Sequence, residues 1–190
     1  PDAASWGLRR GAILHVQKKH DEAAEAYRKV LRQWPASPLV PYALHELGCE
    51  QLNLKDAAGA EATFHTLLEK QVPPALASRA RYARAMARQQ LGKPAEAAAD
   101  VEAALGAGLA AGERSDARFL LGLCRTELKQ YDKAAEAFGA LVRDDPKYAA
   151  AEKAVYHWAW ALKRVGRELE ASQAFARLAA DYPNSPLAAE

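Results

Sequence analysis

The sequence predicts an all-α fold, a solenoid of about five helix–turn–helix repeats containing ten or so helices. Three observations predict it: an alanine-rich composition, a strict internal period, and proline and glycine punctuation that keeps the same period. Alanine loses no side-chain entropy when a helix forms, and strand-favouring residues are sparse. The chain has 190 residues, half of them hydrophobic and 26% charged. Its formal net charge of +2 reflects 26 basic and 24 acidic residues. Those charges are interspersed, as in Glu22, Glu25, Arg28, Lys29 and Arg32. Such mixing makes a solvated helix face and argues against a nucleic-acid or anionic-membrane surface.

The period is read from five alanines. Ala23, Ala60, Ala97, Ala134 and Ala171 follow one another at 37-residue intervals. Four residues after each stand Tyr27, Phe64, Val101, Phe138 and Phe175. Seven residues after each stand Val30, Leu67, Ala104, Leu141 and Leu178. The i, i+4, i+7 spacing puts all three on one helix face. Twelve residues before each alanine the chain has Gly11, Gly48, Ala85, Gly122 and Ala159. Small residues there let two helices of one repeat approach closely. In the fourth repeat the helices are expected near residues 116–129 and 131–143.

The connections keep the same register. Pro35, Pro146 and Pro183 end the second helices of their repeats, since proline cannot continue a helix interior. Ser37-Pro38 and Ser185-Pro186 offer a serine N-cap followed by proline at the first helical position. Ser78 and Ser115 are read as further N-caps. Gly92 and Gly166 fall in the turns inside a pair, where positive φ suits glycine. The chain is read as one solenoid over 1–190, with repeats at about 4–40, 41–77, 78–114, 115–151 and 152–188. Beginning at Pro1 without an initiator Met, it is expected to be a piece of a longer protein.

The combination Leu44-x-x-Leu47-Gly48 with Ala60-x-x-x-Phe64, and Leu121-Gly122 with Ala134-x-x-x-Phe138 and Pro146, resembles the tetratricopeptide repeat. The resemblance implies a right-handed superhelix whose first helices line a concave groove that holds peptides or partner helices. Two departures stand out: the period is 37 rather than the usual 34. The third repeat has Val101 in place of an aromatic and a glycine-containing 106–112 stretch in place of the proline. That repeat is expected to be the loosest.

Carrying the groove positions along the period gives Leu8, His45, Tyr82, Phe119 and Tyr156, then one turn later Ala12, Cys49, Met86, Leu123 and Trp160. The expected protein-binding residues are His45, Arg79, Tyr82, Met86, Gln89, Phe119, Leu123, Tyr156, Trp160 and Lys163. Tyr and Trp bury large area with few rotamers, which suits binding hot spots. Lys153 and Arg164 extend the basic rim. The alternative role for the aromatics is packing between neighbouring first helices. The lysine and asparagine clamp with which some family members grip a terminal carboxylate is missing, because its positions hold Leu8, Ala12, His45, Cys49, Tyr82 and Met86.

No phosphate-binding glycine loop, nucleophile elbow or His-Glu-x-x-His pair is present, so no catalytic residue, cofactor or metal is expected. His45 and Cys49 are i, i+4, but two ligands are too few for zinc. The expected function is a protein-interaction scaffold within a larger bacterial multi-repeat protein, binding a peptide or partner helix. The alternative is a recruiting arm of an enzyme whose catalytic domain lies elsewhere. The Trp34-Pro35-x-Ser-Pro and Tyr182-Pro183-x-Ser-Pro segments resemble those of bacterial cell-envelope repeat proteins and favour that location over the cytoplasm. No nucleic acid is expected as a partner, since the groove centre is apolar. No apolar run approaches the roughly 18 residues that insertion in a membrane would need. End-to-end self-association through the terminal repeats is expected, because a stacking face needs a cover.

Overall fold

The computed structural model describes residues 3–188, and among these are ten α-helices, a short 3-10 helix and no strand. The helices are α1 (Ala3–Val16), α2 (His20–Gln33), α3 (Val40–Asn53), α4 (Ala57–Leu68) and α5 (Pro74–Gln90). They continue with α6 (Pro94–Gly106), α7 (Ala111–Glu127), α8 (Tyr131–Asp144), α9 (Ala151–Val165) and α10 (Glu168–Asp181). Two compact units result. One comprises residues 1–93 with 106–108, the other residues 94–105 with 109–190. The division falls inside the third repeat, whose first helix belongs to one unit and whose second helix belongs to the other.

In the first unit α1 packs on α2, α2 on α3, α3 on α4 and α4 on α5, and α3 also touches α5. In the second, α7 packs on α8, α8 on α9 and α9 on α10, with α7 touching α9. The residues that carry the period make these contacts. Ala23, Ala60, Ala97 and Ala134 are wholly inaccessible, as are Phe64, Phe138, Val30, Leu67 and Leu141. Each buried aromatic of this set contributes roughly 1.5–3 kcal/mol by leaving water. Of the four aromatics that follow the periodic alanines, Tyr27, Phe64 and Phe138 are buried and Phe175 stays half-exposed.

The close helix approach is a matched socket. A Cβ on Gly48 would come within 2.6 Å of Phe64 Cζ, and one on Gly122 within 2.5 Å of Phe138 Cζ. Gly11 faces the Tyr27 ring in the same way. Glycine is therefore demanded by the end of a ring packed against it, and alanine there would force the ring out.

The turn within each pair has one conformation in all five repeats. Lys18 (φ 59°), Lys55 (φ 62°), Gly92 (φ 68°), Lys129 (φ 57°) and Gly166 (φ 84°) all lie in the left-handed region, and they are 37 residues apart. Glycine was the expected occupant at two of these positions. At the other three, lysine holds the same conformation at a cost of about 1–2 kcal/mol.

Several expected boundaries are corrected. Ser78 and Ser115 are not caps. They lie inside α5 and α7, buried, with Ser78 Oγ donating to the Pro74 carbonyl (2.9 Å) and Ser115 Oγ to Asp145 Oδ2 (2.6 Å). Helices α5 and α7 start about a turn earlier than the serines suggest, because Pro73-Pro74 and Ala110 already set extended-to-helical entry. Ser37 Oγ accepts from the Leu39 amide (3.2 Å), but α3 opens at Val40 with Pro41 in its first turn. Ser185 Oγ accepts from the Leu187 amide (3.0 Å) and opens the 3-10 turn Pro186–Ala188.

Candidate functional site

In the first unit the expected binding residues come from α3 and α5. His45 is turned inward, 5% exposed, with its ring edge-on to Phe64 at 6.0 Å. Its Nδ1–H donates to Glu46 Oε1 (3.0 Å). That bond holds the Glu46 carboxyl below its usual range, against the opposing effect of burial, and Arg79 adds to the same direction. Arg79 is exposed, while Tyr82, Met86 and Gln89 are half-buried along α5. Met86 fills space against the Leu44–Phe64–Leu76 cluster. Cys49 Sγ lies 3.9 Å from His45 Nδ1. Burial pushes its thiol up to about 12, so it is a neutral, apolar neighbour at ordinary pH. This face therefore offers a polar edge around Arg79 and Glu46 rather than an aromatic floor.

In the second unit the expected residues come from α7 and α9. Phe119 is half-buried among rings, 5.7 Å from Phe138, 6.0 Å from Tyr148 and 5.9 Å from His157. Leu123 packs against the same cluster. Their contacts are mainly internal. Tyr156, Trp160 and Lys163 are different. Tyr156 and Trp160 meet edge-to-face at 6.3 Å, and Trp160 meets Phe175 at 5.8 Å. The exposed Lys163 ammonium sits 4.9 Å from the Trp160 ring centroid. An aromatic surface with a cation above its face can engage apolar, aromatic or acidic side chains of a docked chain. The Trp160 indole N–H is buried without an acceptor.

Two groups escaped the sequence reading. His157, between Phe119 and Phe138, stacks on Phe138 at 5.4 Å and 17°. Burial, helped by Lys153, holds its pKa below the ordinary histidine value. The other is a cluster in the first unit: Glu50 is wholly buried, its Oε1 accepting from His15 Nδ1 (2.6 Å) and its Oε2 from His20 Nδ1 (2.7 Å). The signal for it was a break in the period. Equivalent positions in the other repeats are Ile13, Ala87, Cys124 and Ala161, so a carboxylate stands where every other repeat has an apolar residue.

Tetratricopeptide-repeat family models match residues 1–38, 45–108, 82–149 and 153–185. No curated protein matches the chain by sequence. Among solved structures, MamA from Desulfovibrio magneticus RS-1 is similar at 22% identity, with 94% of each chain covered and a TM-score of 0.77. YrrB, described as a TPR protein with an unusual peptide-binding site, is similar at 18% identity over 96% of this chain and 88% of its own, with a TM-score of 0.79. Pseudomonas aeruginosa pilF shares 17% identity over 99% of this chain and 80% of its own, with a TM-score of 0.74.

Proposed function

This chain belongs to the tetratricopeptide-repeat family, and on that premise we propose that it is a non-catalytic scaffold that docks a peptide or partner helix on the first-helix faces of its repeats. The observation that carries the reading is the Tyr156–Trp160–Lys163 group: large rings on α9, half-buried, with an exposed cation over the indole. Rings held by Phe175 and by each other lose little freedom when a ligand arrives, so more of the contact energy survives as affinity. YrrB, whose fold is similar, is described as carrying a peptide-binding site, which supports a peptide as the class of ligand. Arg79, Tyr82 and Gln89 on α5 form a second, more polar contact region in the first unit.

The partner is a protein, not a nucleic acid, because the net charge is only +2 and basic side chains are interleaved with acidic ones. No helix among the described residues is long and apolar enough to cross a membrane. Self-association through the terminal repeats is part of the same reading. Trp6, Ile13 and Val16 on α1 are 60%, 59% and 80% exposed, an apolar strip that a second copy would cover. Light scattering across a concentration series should show growth of dimers or longer species; a constant monomer mass would remove that part.

The main test is affinity capture with wild type and with Tyr156→Ala/Trp160→Ala. Captured proteins should be lost with the double variant while far-ultraviolet helicity is retained. Equal capture by both would move the site off α9.

A further inference from the structure

The geometry points to a binding site for a first-row divalent transition cation, of the zinc class, formed by His15, His20 and Glu50. It does not depend on the docking surface above, since all three residues belong to the first unit and α9 belongs to the second.

Three helices deliver the donors. His15 is in the last turn of α1 and His20 opens α2, and the left-handed Lys18 turn between them brings the imidazoles together, edge-to-face at 5.8 Å. Glu50 comes from α3, a repeat further on, and points both carboxylate oxygens at the two Nδ1 atoms. One ligand atom from each residue lies within 4.8 Å of the others. Two imidazole nitrogens and one carboxylate oxygen suit zinc, copper or nickel; calcium and magnesium prefer oxygen alone.

The fit requires little movement. Zinc takes nitrogen and oxygen ligands at about 2.0–2.2 Å, which places tetrahedral donors roughly 3.3 Å apart. The present separations are 2.6 and 2.7 Å, so the imidazoles must withdraw by roughly 0.6–0.7 Å to admit the ion. His15 can do this, since its side chain is 49% exposed at a helix end, and His20 is 29% exposed. That exposure leaves the fourth position to water. Glu50 cannot retreat, because it is wholly enclosed. A carboxylate taken out of water demands compensating positive charge. The imidazole N–H groups now donate hydrogen bonds to it, and a dication would supply the charge itself. On binding, each imidazole presents an Nδ1 lone pair, keeping its proton on Nε2 or releasing it to solvent. Glu46, one turn before Glu50 on α3, adds negative charge near His15. Lys18 and Lys19 in the turn oppose the cation, though Lys19 is engaged with Glu22 (3.5 Å). The consequence is a clamp across α1, α2 and α3, joining the first two repeats.

The test uses the whole chain, treated with chelator and dialysed. Zinc is titrated by calorimetry while the thermal midpoint is followed, and Co2+ replaces zinc to report coordination by its visible spectrum. Expected are one zinc per chain, a rise in thermal midpoint reversed by chelator, and a tetrahedral Co2+ spectrum. His15→Ala and Glu50→Gln should each weaken zinc binding at least tenfold. His65→Ala, which alters an exposed histidine on α4 next to Glu69, should change nothing. If Glu50→Gln fails the helicity check, the half-exposed His15→Ala decides. No stoichiometric zinc binding by wild type, or undiminished binding by His15→Ala, overturns the proposal.

Discussion

The two units use the same backbone and fill its interior in opposite ways. Through the second unit runs a chain of rings: Tyr148, Phe119, Phe138, His157, Tyr156, Trp160 and Phe175 touch in succession at 5.4–6.3 Å. In the first unit the corresponding space holds hydrogen-bonded polar groups: Glu50 with two histidines, His45 with Glu46, and Thr63 Oγ1 donating to Gln51 Oε1 (2.6 Å). The position of Phe119 in the period is that of His45, and the position of Cys124 is that of Glu50. The difference shows what the repeat leaves undetermined. Small-on-aromatic contacts and left-handed turns recur in both units, whereas the residues beyond them are free to be greasy or charged. An aromatic interior depends on shape; a polar one depends on every donor and acceptor being matched.

The largest effect expected from that contrast concerns Phe138. Phe138→Ala should cost about 3–5 kcal/mol in denaturant unfolding. Phe64→Ala in the first unit should cost less by about 0.5–1.5 kcal/mol, because Phe138 also holds Phe119 and His157 while Phe64, among the described residues, meets one ring, that of His45. Equal losses would mean that the ring chain adds nothing beyond burial.

A smaller effect should follow pH. The pKa of His157 is lower in the folded chain than its ordinary value of 6.5. On acidification the unfolded chain takes up that proton first, so stability from keeping the imidazole neutral is complete above pH 6.5 and is lost as pH falls through the folded pKa. Thermal midpoints of wild type should therefore fall more steeply between about pH 7 and 5 than those of His157→Leu. Parallel slopes would place the acid sensitivity elsewhere.

The smallest effect probes what the units share. Lys129→Gly and Lys55→Gly relieve the same left-handed strain, and each should gain about 1 kcal/mol or less, since glycine loses more chain entropy on folding. A gain in one unit alone would show that the turns are not equivalent after all.

Much of this was legible in the sequence because backbone constraints repeat. Five alanines, the aromatics that follow four of them and the small residues opposite keep one interval, and at Gly11, Gly48 and Gly122 the small residue reports a ring too close for a Cβ. Serine misled at Ser78 and Ser115 because a hydroxyl satisfies an internal carbonyl or a distant carboxylate as readily as a helix end. The binding face was only partly readable. The period placed His45, Phe119 and Tyr156 in one register, but the exposure of such residues depends on neighbours from other helices: Phe64 encloses His45 and three rings enclose Phe119. Glu50 was overlooked because its partners lie 30 and 35 residues away, beyond the reach of helix-spacing rules.

The glycine–ring socket also restricts how such a chain can diversify. The residue that approaches and the residue that receives it sit on different helices, 16 positions apart, yet neither tolerates change alone. In the sequence, Ala85 accompanies the smaller Val101, and Ala159 accompanies Phe175, which is half-exposed where Tyr27, Phe64 and Phe138 are buried. Shuffling single helices among repeats would break these couplings, so the hairpin, not the helix, is the smallest unit that recombination could exchange without loss.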